Sequence, residues 1–379
     1  MKKISKISIA TILLVSSLTI MVGSVIAPAL PAISKSLNFN FNPGLLVTLP
    51  SLGVVLFSPF VGKLINKLGP FKLICLGLLP YAIFGFIGYL ISNTYLLVLD
   101  RLLLGAACVA IQVSVTTYIA ELFEGEQRLK MIAWQGMAIE LGGVVFLSLG
   151  GYLGELSWYF PFYIYLLAIP YLLLVYKFLP HSTSSAKYLQ TDNEDKTSHK
   201  NPIFKPIFLG SFFSMAIFFV AYVSLPQYLP EKFNFTESET GYFMSAISLI
   251  AVIIAGIMPK IAKKITPNLT VCLGFIFFAV GYILFAATSE LIVMYLGIFF
   301  TGLGFGLTVP LLNHMVVENS TKQNRGKNLG FYSMMVFAGQ FFSSFVEFLP
   351  IKISFNFYYT AIISLIVSIC LFILFRKTK

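Results

Sequence analysis

Between Met137 and Gly151 runs MAIELGGVVFLSLGG, an apolar, glycine-rich stretch with a single charged residue, Glu140. A carboxylate in such surroundings is suited to one kind of chemistry, the binding and release of a proton. Burial penalises the charged form of an acid, and a nearby cation favours it. A second constellation, LVLDRLLLG from Leu97 to Gly105, places Asp100 beside Arg101 in equally apolar company. An ionised side chain in hydrocarbon costs about 2.5 kcal/mol or more, so it faces a protein interior or a water-filled cavity. Metal and redox chemistry find no support. His181, His199 and His314 form no cluster, and Cys75, Cys108, Cys272 and Cys370 have neither metal-ligand nor disulfide spacing. No cofactor is expected.

The elements that must position these residues are membrane-spanning helices. The chain is 58% hydrophobic and 11% charged, against roughly 25% charged in a soluble domain. Apolar runs long enough to cross a bilayer recur from end to end. We place twelve spans at 7–28, 44–62, 72–91, 95–120, 130–153, 159–179, 207–229, 240–259, 269–288, 291–316, 328–349 and 354–375. The first has an apolar stretch longer than a signal peptide's, so it reads as a retained helix. Threaded with the N-terminus inside, 22 of the 26 Lys and Arg fall on the cytoplasmic side. Only Lys35, Lys232 and Lys352 lie in outer loops, and Arg101 lies within a span. The positive-inside rule therefore puts both termini in the cytoplasm, and it accounts for the net charge of +11 without any nucleic-acid partner. On this threading Glu140 lies near the midplane, with Asp100 nearer the outer surface. No paired acid, nucleophile–base pair or metal site accompanies Glu140 at that depth, so an intramembrane enzyme has no machinery.

One polar segment, His181 to Pro206, divides the spans into six and six. The expected organisation is an N-terminal six-helix bundle over 1–180, a cytoplasmic linker over 181–206 and a C-terminal bundle over 207–379. The halves repeat. A shift of 197 residues lays Lys63 on Lys260, Lys67 on Lys264, Pro70 on Pro267, Cys75 on Cys272, Gly105 on Gly302 and Gly142 on Gly339. It also lays Glu121 on Glu318, Arg128 on Arg325 and Lys130 on Lys327. Parallel six-span repeats imply a pseudo-two-fold axis along the membrane normal, with a substrate site between the halves.

Three local patterns resemble the major facilitator superfamily, and specifically its proton-driven drug and metabolite exporters. The first is Gly62-Lys-Leu-Ile-Asn-Lys-Leu-Gly-Pro-Phe-Lys72, between spans two and three, where Gly62, Leu64, Lys67 and Gly69 fit the family's cytoplasmic signature. Asn66 stands where the family usually has aspartate. The second is Asp100-Arg101 with Gly105, similar to the arginine-to-glycine motif implicated in proton transfer. The third is the span-five stretch, similar to the exporters' glycine-rich motif but lacking their proline. At steps of three or four, Gly136, Glu140, Gly143, Leu147 and Gly150 or Gly151 share a face, and small residues let membrane helices pack closely.

The resemblance implies a conformational switch at Gly62, Asn66, Lys67 and Gly69, with Glu121, Arg128, Glu318 and Arg325 in the matching cytoplasmic loops. It implies proton coupling at Glu140, Arg101 and Asp100. It also implies a substrate cavity lined by spans one, four, seven and ten, for which Ser17, Ser24, Gln112, Thr116, Tyr222, Gln227, Thr308 and Asn313 are the polar candidates. The function expected is efflux of small amphiphilic molecules in exchange for protons, by a monomer in a bacterial inner membrane. An importer or lipid-linked flippase of the same fold is the alternative. A receptor would be expected to carry a sizeable soluble domain, and none is visible.

Overall fold

The computed structural model describes residues 5–123, 125–180, 202–287, 290–321, 324–348 and 352–377, and among them there is no strand. The chain divides into two compact units, Met1–Asp192 and Asn193–Lys379. The first contains α1 (Lys6–Ser24), α2 (Leu30–Ser36), α3 (Gly44–Ile87), α4 (Thr94–Leu122), α5 (Gly125–Leu156), α6 (Phe160–Tyr163) and α7 (Ala168–Phe178). The second contains α8 (Phe204–Phe233), α9 (Glu237–Ile265), α10 (Pro267–Ala287), α11 (Leu291–Glu318), α12 (Arg325–Phe342) and α13 (Ile353–Lys377). Most of the expected linker, 181–201, lies outside the described residues.

Among the described residues, eleven helical stretches are long and apolar enough to cross a membrane. One of them, Gly44–Leu90, has 47 residues, about 70 Å of helix against a hydrocarbon core of about 30 Å. It is two crossings. The break is Gly69, with φ 73° and ψ 168°, where the helix turns back on itself. The chain is therefore a multi-pass membrane protein with twelve crossings, the expected spans two and three being joined by a turn too tight to interrupt the helical assignment.

The 197-residue repeat is visible in backbone geometry. Gly69 is followed by Pro70, and its counterpart Thr266, with φ 83° and ψ 147°, is followed by Pro267. Both residues occupy a conformation that suits glycine and strains any residue with a Cβ. Close contacts repeat at the same offset. A Cβ on Gly77 would lie 3.2 Å from Ala107 O, and one on Gly274 would lie 3.0 Å from Gly304 O. A Cβ on Gly105 would lie 2.0 Å from Pro50 O, and one on Gly302 would lie 3.0 Å from Ile247 O. Lipid tails are as apolar as leucine, so helix association inside the membrane depends on such close approaches.

Two stability measurements follow. Gly105→Ala should destabilise the fold by about 3 kcal/mol, because the new methyl meets backbone that cannot move aside. Thr266→Gly should stabilise it by about 1 kcal/mol, by relieving the positive φ. Thermal unfolding in detergent checks both signs. A Gly105→Ala protein as stable as the parent would contradict the packing described.

Candidate functional site

The Asp100–Arg101 pair sits in the second turn of α4, whose N-terminus is capped by the Asn93 side chain accepting from the Tyr95 and Leu96 N–H groups. Arg101 is completely buried. Its Nε and Nη2 donate to Asp100 Oδ2 at 3.0 and 2.7 Å, and Nη2 also donates to Phe84 O at 2.9 Å. Phe84 lies in the last turn of α3, where a helix leaves its carbonyls without a ladder partner. The rings of Phe162 and Tyr165 lie 5.6 and 5.8 Å from the guanidinium carbon. Gly88 makes room for it: a Cβ there would lie 2.1 Å from Nη2. The pair is bound to the end of α3 through Nη2, while Asp100 Oδ1 and Arg101 Nη1 are buried without a partner among the described residues. Its bonds connect α4 to α3, and no ion pair joins it to Glu140 among the described residues.

Glu140 contrasts with that pair. It is half-buried on α5 and makes no hydrogen bond or ion pair to any described residue. Along its helical face exposure falls steadily, with Gly136 exposed, Glu140 intermediate, and Gly143 and Leu147 buried. The helix is held by α1. A Cβ on Gly142 would lie 2.8 Å from Ser17 Cβ, on Gly150 2.0 Å from Val25 O, and on Gly154 2.5 Å from Ala29 Cβ. This corrects part of the expected packing motif. Gly136 has open space around it, so it is no packing residue within its unit, whereas Gly142 and Gly154 are. Gly143 and Gly151 are buried. Period-3.6 counting grouped Gly136 with the others because it cannot tell where along a face the neighbouring helix begins.

The polar residues expected around a substrate separate into two groups. Gln112 and Asn313 are half-buried, Thr116 is exposed with its hydroxyl donating to Gln112 O at 2.9 Å, and Asn313 Oδ1 has no partner among the described residues. Others are absorbed within their units. Ser17 packs against Gly142, and its hydroxyl donates to Leu14 O at 2.7 Å. Ser24 is buried and donates to Ile20 O at 2.9 Å. Thr308 lies in the contact between α11 and α10, its methyl 2.5 Å from where a Gly274 Cβ would be, and its hydroxyl donates to Gly304 O at 2.8 Å. Tyr222 is buried with its hydroxyl 2.9 Å from Ser248 Oγ on α9. Gln227 donates to Val223 O and to Glu347.

The cytoplasmic-signature residues lie on an open surface. Gly62 and Lys67 are exposed, Asn66 is half-buried, and Gly69 makes the bend. Arg128 donates to Phe123 O at 2.8 Å and to Ala120 O, capping the C-terminal end of α4 on which Glu121 stands. Its repeat counterpart Arg325 opens α12 with Nε unpartnered, and Glu318 pairs with His314 at 3.1 Å on the surface. The two loops share charges but not contacts. Sequence reasoning overlooked the buried tyrosines Tyr81, Tyr165 and Tyr282, whose hydroxyls donate to helix carbonyls. With 19 tyrosines in the chain, nothing distinguished them.

The sequence profile of the Major Facilitator Superfamily matches residues 12–344. The chain is 32% identical to the quinolone resistance protein NorA of Staphylococcus aureus over 143 residues, which are 38% of this chain and only 37% of NorA. It is 26% identical to the tetracycline resistance protein, class B, of Escherichia coli over 298 residues, covering 73% of this chain and 72% of that protein. Its fold matches the nucleoside transporter NupG with a TM-score of 0.75 at 14% identity, over 97% of this chain and 99% of that one. It matches a bacterial homolog of the human lysosomal transporter Spinster with a TM-score of 0.77 at 13% identity, over 97% and 96% of the two chains.

The Asp100–Arg101 pair has a measurable signature. Arg101→Met should destabilise the protein by about 3 kcal/mol, because Asp100 is left buried and uncompensated. Removing both charges, as Asp100→Leu with Arg101→Met, should recover much of that loss. Equal unfolding midpoints for the single and double variants would contradict the pairing.

Proposed function

This chain belongs to the major facilitator superfamily, so it is a transporter of small molecules and not an enzyme, and we propose that it exports amphiphilic compounds in exchange for protons. The observation that carries this reading is the difference between two of the acids within the spans. Asp100 is tied to Arg101 at 2.7 Å, whereas Glu140 has no partner among the described residues and sits where an exposed face becomes buried. A carboxylate so placed can be neutralised by a proton or by a positive group on a substrate, but not by both together. Exchange follows from that competition. Support for the outward direction comes from the resemblance of the span-five stretch to exporters and from relatives named for resistance to quinolones and tetracycline.

In the cycle we propose, Glu140 releases its proton on the cytoplasmic side, accepts substrate, and is reprotonated from outside as substrate leaves. Gln112, Thr116 and Asn313 supply hydrogen bonds to the cargo. Asp100 and Arg101 hold α4 to α3 throughout. Lys63, Lys67 and Asn66 form the cytoplasmic contact that changes between states. The protein works as a monomer in an inner bacterial membrane with both termini in the cytoplasm.

Everted vesicles with an acidic lumen and a pH-sensitive dye test this directly. Adding norfloxacin, tetracycline or ethidium should discharge the gradient only in vesicles that contain the protein, and Glu140→Gln should abolish the discharge. Wild-type discharge by Glu140→Gln would overturn the role of Glu140. A folded wild type that responds to none of the three would overturn broad export.

A further inference from the structure

The side chain of Tyr282, on α10, is completely buried against α8. Its hydroxyl accepts from Ala221 N–H at 3.0 Å and donates to Ile217 O. Those two groups are four residues apart, the pair that an α-helix joins to each other. A side chain inserted into the ladder is one of the few recognised causes of helix bending. Further along α8, Pro226 and Pro230 bring no N–H to the ladder at all. Two ladder donors between Ile217 and Pro230 are thus missing, and a third, Ala221 N–H, also donates to the tyrosine.

The first unit provides the contrast. Tyr81 lies on the α3 segment that the 197-residue offset sets opposite α10, and its hydroxyl donates to Leu18 O on α1 at 2.6 Å. Tyr165 donates to Val22 O at 2.8 Å. Neither hydroxyl takes a backbone N–H of α1 among the described residues, and α1 contains no proline. Tyrosine holds the first helix of each unit, but only in α8 does its hydroxyl also take a backbone N–H among the described residues.

We propose that Tyr282 is a positioning residue of the transport cycle, making α8 a two-segment helix hinged between Ile217 and Ala221. The turn at the hinge carries Phe218, whose ring lies 4.1 Å from that of Phe305 on α11, and Phe219, stacked on Tyr222 at 4.6 Å. Tyr222 in turn reaches Ser248 on α9. A change of angle at the hinge is therefore felt by three neighbouring helices at once. Hinges of this kind absorb the backbone change while standing away from the chemistry. The inference rests on family membership and geometry; its turnover test rests on the proposed export of ethidium, and its exchange test needs no cargo or coupling ion.

Tyr282→Phe removes the hydroxyl and keeps the ring packed on Phe285 and Phe357, 5.8 and 6.0 Å away. Ile217 O and Ala221 N–H can then close onto each other. Amide hydrogen exchange in nanodiscs, without substrate or gradient, reads this directly. Exchange across residues 217–221 should slow by about tenfold in Tyr282→Phe. Tyr81→Phe, the control, should leave the exchange of α1 unchanged or faster. Turnover for ethidium moving down its own gradient should fall on the order of tenfold at unchanged KM. Unchanged or faster exchange in Tyr282→Phe would mean the hydroxyl only satisfies buried groups, and would overturn the hinge. Slower exchange with unaltered turnover would overturn the positioning role. Neither result depends on whether Glu140 carries protons.

Discussion

Hydrocarbon offers no water to a polar group, and nearly every polar feature of this chain is an answer to that constraint. Arg101 gives its donors to Asp100 and to the carbonyl that α3 leaves over at its end. Hydroxyls inside the spans turn back on their own helices, as Ser16 does on Ile12 O and Ser211 on Ile207 O. Buried tyrosines reach further, to carbonyls of neighbouring helices. Several buried polar atoms have no such partner, Asp100 Oδ1, Arg101 Nη1 and Thr301 Oγ1 among them, but Asp100 and Arg101 at least neutralise one another, whereas Glu140 has no hydrogen bond or ion pair to a described residue. Its energy is lowest when something mobile neutralises it, and a proton or a cationic group is what a transporter has available.

The same constraint explains why the two units share contacts as well as lengths. Helices in lipid gain little from burying apolar surface, so they must meet at short range. The glycines at 77, 105, 274 and 302 are where backbone meets its neighbour most closely, and they recur at one offset. The tight turns at Gly69 and Thr266 recur with them, although one carries a side chain that its conformation disfavours. What differs between the units is polar. Arg128 caps α4 while Arg325 does not cap α11, and Tyr282 enters the ladder of α8 while Tyr81 stays outside that of α1. A repeated frame thus carries different contacts in its two copies.

The frame was readable from the sequence because its causes are local. Apolar run length marks the crossings, and the charged residues and prolines that recur at the 197-residue offset mark the loops between them. The site was less readable because its determinants are pairwise. LVLDRLLLG leaves open whether Arg101 pairs locally with Asp100 or serves proton transfer, and nothing in it points to Phe84, since that bond depends on where α3 ends. Thr308 looked like a cavity residue from its position in span ten, but its methyl fills the space left by Gly274 one helix away. Gly136 has the right spacing and no neighbour. Glu140 stood out in both views for the same reason, a charge with nothing of opposite sign beside it.

The claim that Glu140 is the exchanging group is tested most directly by counting protons. Purified protein in weakly buffered detergent, near neutral pH, would receive a saturating cationic substrate while the pH of the solution is followed. If proton and substrate compete for Glu140, the wild type releases protons on binding and Glu140→Gln binds without release. Equal release from both proteins would place the exchanging group elsewhere and contradict the account.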